Sequence, residues 1–72
     1  MIAEVRPGAV GFFAAHGYET AAGPALCIPT PVDAYVYWQS TPATTLMWKS
    51  RSAAVVPETT GHGTILAGMN DG

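Results

Sequence analysis

The apolar positions of this chain fall in short runs cut by proline and glycine. Six Pro and eight Gly leave residues 43–56 as the longest stretch free of both, so long helices are excluded almost everywhere. The pieces between are rich in Val, Thr, Tyr and Trp, which fit a pleated surface better than a helix. Strands are predicted over residues 2–6, 9–15, 25–28, 34–40, 44–50, 53–56 and 64–67. The fold class expected is mainly β: a small antiparallel sheet, sandwich or barrel with little or no helix. The competing reading has Thr41 capping a helix that starts at Pro42 and runs toward Ala54.

Turn chemistry supports the same division. Pro7-Gly8, Gly23-Pro24 and Gly61-His62-Gly63 are turn signals. Pro29 and Pro31 hold residues 28–32 in an extended, poorly hydrogen-bonded track, expected as a Pro-rich arm. Residues 57–63 carry no large apolar side chain and are expected as a surface loop. The 72 residues make a single small β domain, since two cores would each fall below the ~40 residues that fold without staples.

The densest aromatic stretch is expected to form a hairpin closed by Thr41-Pro42-Ala43, with Trp38 opposite Leu46 and Val36 opposite Trp48. That register makes one face solidly apolar. The other face would pair Tyr37 with Met47 and Tyr35 with Lys49, an amphipathic side suited to a protein partner. Tyr35, Tyr37, Met47 and Lys49 are therefore the candidate partner-binding residues. Were Trp38 in the core, its replacement by Ala would cost about 3–5 kcal/mol.

Composition sharpens this picture. Charged residues are only 11% and the net charge is −2, with Arg6, Lys49 and Arg51 the sole basic residues. Three cations do not make a nucleic-acid groove. Disorder requires low hydrophobicity with high net charge, and this chain has neither. So small a core usually needs disulfides, a metal or oligomerisation, and the lone Cys27 makes no internal disulfide. Oligomerisation is the route left. Residues 34–48, the longest run without charge, contain Gln39, Ser40, Pro42 and three Thr, so no spanning helix is expected. Residues 9–15 sit at the lower limit of a signal core and Glu4 offsets Arg6 before it, so no cleaved signal is expected either.

Candidate chemistry is sparse. Cys27, His16 and His62 are scattered over separate segments without the paired spacing of a structural zinc site. Between Leu26 and Ile28, Cys27 reads as a small buried hydrophobe. Glu4, Glu19, Asp33 and Glu58 lie in no acid/base motif. No catalytic residue, cofactor or metal is expected.

Residues 61–68, Gly61-His62-Gly63-Thr64-Ile65-Leu66-Ala67-Gly68, resemble the His-Gly-Gly-Thr-Ile stretch of the PAAR-repeat tips that sharpen phage and secretion-system spikes. The resemblance covers this stretch alone, which occurs once and lacks the second glycine. It implies His62 as a metal ligand, with Cys27 or His16 as the available companions. The reading preferred for the whole chain is a non-enzymatic structural or assembly subunit, a phage virion protein of the capsid-decoration or tail-accessory kind, held by protein neighbours in a homo-oligomer or larger assembly. The alternative is a small inhibitor or adaptor, with a cytoplasmic setting in place of the virion, that binds one target through the aromatic hairpin face. A metal-bearing spike tip is the third.

Overall fold

Seven short strands and one turn and a half of α-helix make up the described part of the chain, residues 1–50 and 55–68 of a computed structural model. Strand β1 is Ile2–Val5, β2 Glu19–Thr20, β3 Ala25–Pro29, β4 Ala34–Trp38, β5 Thr45–Trp48, β6 Val56–Thr60 and β7 Gly63–Ala67; helix α1 is Val10–Ala15, entered through a 3-10 turn at Pro7–Ala9. The strands form two sheets, ordered β1-β5-β2 and β4-β3-β7-β6. The mainly β class is as expected from the sequence. One pairing, β3 with β7, is parallel; the others are antiparallel.

The two sheets meet through Leu46 and Trp48 of β5, Leu26 of β3 and Leu66 of β7, with Ala21 completing the buried cluster and Ile2, Ile28 and Val55 packed at its margin. Alternation along β5 sends Met47 to the opposite face, where it pairs with Ala3. Val5 shares that face, and both side chains are buried. The small sheet is thus apolar on both sides.

Residues 9–15, expected as a strand, form α1 instead. An apolar run of that length does not distinguish helix from strand by periodicity; its ends do. Pro7 occupies the first turn of the 3-10 segment that leads in. At the other end Gly17 adopts φ +89°, and the N–H groups of Gly17 and Tyr18 donate to the carbonyls of Ala14 and Phe13, both at 3.1 Å. That is a Schellman closure, completed by the edge-on contact of the Phe13 and Tyr18 rings at 5.1 Å.

The expected hairpin of residues 34–50 is absent. β4 and β5 are both strands, which excludes the helix read from Thr41 across the described residues, but they belong to different sheets. Trp38 faces Ala25 and Leu46 faces Glu4. The six residues between them are a strap from one sheet to the other. At its start the Gln39 N–H donates to the Pro24 carbonyl at 2.8 Å, in line with the β3–β4 ladder. At its far end the Glu4 carboxylate of β1 accepts from the Ser40 N–H and Ser40 Oγ, both at 2.6 Å, and from Thr44 Oγ1 at 2.5 Å. Thr41 and Pro42 make a turn inside the strap, with Thr41 Oγ1 accepting from the Ala43 N–H. The Gln39 side-chain amide donates to the Thr44 carbonyl.

Two further expectations are corrected. Residues 28–32 are no free arm: Ile28 and Pro29 end β3, paired with Tyr35 and Ala34, and the Thr30 N–H closes a turn onto the Asp33 carbonyl at 2.7 Å. Pro29 is tolerated there because no ladder bond needs its nitrogen: by alternation its pair with Ala34 is a non-hydrogen-bonded one, and the pairing with β7 covers only Leu26 and Cys27. Residues 57–63 lie largely on the surface, as expected, but as strand β6 and a tight turn into β7 rather than a loop. Thr60 organises that turn, its hydroxyl accepting from the His62 N–H and donating to the Gly63 carbonyl. Ala53 and Ala54, expected to open a strand ending at Val56, lie outside the described residues.

Two glycines make the second sheet possible. Gly63 has φ +149°, and a Cβ on it would stand 2.8 Å from the Ala25 carbonyl carbon, with the carbonyl oxygen closer still. Gly23, at φ +82°, has its own Cβ position 2.8 Å from Gly63 Cα. Main chain meets main chain here, with no flexible side chain to yield. Gly63→Ala is expected to destabilise the protein by about 3 kcal/mol, from overpacking and backbone strain together, read as a lowered denaturation midpoint; an unchanged midpoint would contradict the close approach. The three hydrogen bonds from Ser40 and Thr44 lower the Glu4 pKa from 4.5 to about 2. A lowered folded-state pKa stabilises the fold above the unfolded value and loses that contribution as pH falls through the folded one. Melting temperature should therefore decline between about pH 4.5 and pH 2, and Glu4→Gln should remove that part of the decline.

Candidate functional site

The four-stranded sheet has two unlike faces. One, through Leu26 and Leu66, is committed to the core; the other alternates with it and carries Ala25 and Cys27 of β3, Val36 and Trp38 of β4, and Gly63 and Ile65 of β7. These residues, together with Thr60, His62 and Thr64, line an open concavity of about 370 Å3. Its walls are almost wholly apolar. Trp38 and Val36 are 66% and 48% exposed, where the expected hairpin register set both on a solidly apolar face. The physical reason is the strap: without a hairpin partner, the strand pairing among the described residues sets only Ala25 beside Trp38.

Strand β4 is exposed along its whole length and on both faces. Tyr35 and Tyr37 lie on the face opposite Trp38, at 65% and 41% exposure. Of the residues expected to bind a partner together, these two remain on the surface, while Met47 is fully buried in the other sheet and does not join them. Lys49 is exposed but engaged: its ammonium donates to the His16 carbonyl at 2.8 Å, at the C-terminal end of α1, and stands 5.9 Å from the Tyr18 ring centroid. The patch predicted from one hairpin is thus divided among β4, the core and the end of α1. The signal that pointed to an exposed strand was the uncharged Ala34-Tyr-Val-Tyr-Trp38 run; its two-sided exposure follows from being an edge strand.

Cys27 and His62 do come to one place, both lining the concavity, with Cys27 half-buried and His62 exposed. His16 lies elsewhere, its Nδ1 2.8 Å from the Phe12 carbonyl and its ring tilted 35° against that of Phe12 at 4.4 Å between centroids. Among the described residues no group of three or more His, Cys, Asp or Glu side chains is placed to hold a metal ion. Nor does any helix among them have the length and apolar character to cross a membrane. What the surface offers is contact area: rings, branched aliphatics and a half-buried thiol.

The two tryptophans should separate in a stability assay. Trp48→Ala, 5% exposed in the core, is expected to cost about 3–5 kcal/mol. Trp38→Ala should cost less than about 1 kcal/mol in dilute protein, measured by urea unfolding; equal losses would mean that the Trp38 ring is enclosed. Compared with known proteins, the chain finds no counterpart: no family model, no curated protein and no solved structure matches it.

Proposed function

We propose that this chain is a non-enzymatic assembly subunit, which acts by contact with other protein subunits through β4 and the apolar concavity beside it. The observation that carries this reading is β4 itself: five consecutive residues, none charged, all exposed, at the border of a sheet. Tyr and Trp are the residue types enriched at interface centres, and three of them stand here within four positions. An antiparallel sheet usually keeps one face for water. Here the face turned from the core presents Trp38, Val36 and Ile65 instead, and the chain has no remaining segment among its described residues that covers it. A virion, with this chain as a decoration or tail accessory subunit, is the setting we propose, on the strength of the low charge and small core; the geometry bears on the assembly role.

The test is the mass of the purified chain in dilute buffer. Association is expected at micromolar concentration, with Tyr37→Ala weakening assembly more than it weakens folding. A monomer that stays solitary at those concentrations and unfolds cooperatively would overturn the assembly role and favour an adaptor that meets a single target.

A further inference from the structure

Resting on the assembly reading, we infer that the partner of β4 is a second copy of β4, paired antiparallel across a two-fold axis at Val36, so that two four-stranded sheets become one of eight strands. Three observations lead there. The first is which edges are left open. Across the same sheet, the other border strand β6 carries Pro57 and Glu58, the devices that keep an edge from pairing. In the smaller sheet, border strand β2 has two residues and border strand β1 carries Glu4. Among the described strands β4 alone is a border strand of five residues with neither proline nor charge.

The second is direction. The Gln39 N–H donates to the Pro24 carbonyl, and the ladder runs on through the pairs Tyr37 with Leu26 and Tyr35 with Ile28. By alternation, the main-chain groups of Ala34, Val36 and Trp38 point away from β3, toward the open edge. The Ala34 N–H already donates to Asp33 Oδ1 at 2.8 Å. A two-fold axis at Val36 joins the outward groups that are left: Val36 to Val36 twice, and the Trp38 N–H to the Ala34 carbonyl twice, about four hydrogen bonds in all.

The third is fit. That register sets the smallest side chain of the strand, Ala34, against the largest, Trp38, and sets Tyr35 against Tyr37 as an aromatic cross-strand pair. No like charges meet. At about 200 Å2 for each ring, the exposed fractions of Tyr35, Tyr37 and Trp38 offer about 350 Å2 per chain. Two chains together carry about 700 Å2 of exposed ring, an upper bound on what the rings bury, and Val36, the strand backbone and the 95% exposed Val32 beside it add to this, toward the ~1,000 Å2 that a specific interface needs.

The decisive experiment is charge exchange at the axis, followed by sedimentation of the full chain. Wild-type protein is expected as a dimer. Val36→Lys and Val36→Glu, each with unchanged far-ultraviolet circular dichroism, should associate at least tenfold more weakly, because like charges then face each other; mixing the two variants should restore the dimer. An oligomer that Val36→Lys leaves intact, or a mixture of the variants that stays monomeric, would overturn the β4 pairing while leaving the assembly role standing. A wild-type chain that remains a folded monomer would overturn both. Should the charged variants not fold, Val36→Cys in a Cys27→Ser chain decides the matter: oxidation should give a disulfide-linked dimer, and its absence would overturn the pairing.

Discussion

Everything in the larger sheet depends on two backbones touching where Gly23 and Gly63 meet beside Ala25. The parallel pairing of β3 with β7 begins one residue beyond that contact, at Leu26 with Thr64. The Thr64 hydroxyl, donating to the Ala22 carbonyl at 2.8 Å, fastens the same point from the buried side. A Cβ at either glycine would push the strands apart, and with them Leu26 and Leu66, both fully buried. Those two leucines belong to the buried cluster that Leu46 and Trp48 of the smaller sheet complete. The contact therefore controls the ladder, the core and the floor of the concavity together.

The described residues pack two sheets against one another and leave the outer side of the larger one uncovered. The core-facing side of the larger sheet receives Leu46 and Trp48 from β5. Among the described residues its reverse receives nothing but its own side chains, and its border strand is left open on two faces and one edge. The surface that results is apolar because β3 and β7 are interior strands with residues such as Cys27 and Ile65 on the outer side. Hydrophobic shelter left unfinished in this way is the common physical basis for the assembly role and for the strand pairing proposed with it.

Several elements were legible because they are local. Strands β1, β3, β4, β5 and β7 sit where β-branched and aromatic residues cluster between turn signals, and the borders fall near the prolines and glycines. Helix α1 was legible in principle from Gly17, placed to close it, but the apolar run before that glycine has no distinguishing period. Strand β2 is only Glu19–Thr20. It exists because β5 offers it an edge, and nothing in two polar residues announces that.

The site was harder to read for a reason of geometry. Aromatic residues at 35–38 and 45–48 are close in sequence, and the shortest way to bring them together is a hairpin. The structure uses the intervening residues to change sheets, and the decision is made by groups far away along the chain: Glu4 holding Ser40 and Thr44, and Pro24 holding Gln39. Which tryptophan is buried follows from that choice. Composition and turn chemistry by themselves determined a small β protein of low charge, because those properties depend on which residues are present and where the backbone must bend. The assignment of Trp48 and Met47 to the interior, and of Tyr35, Tyr37 and Trp38 to the outside, belonged to the tertiary structure alone, because a strand's exposure is set by the neighbours it acquires from distant segments.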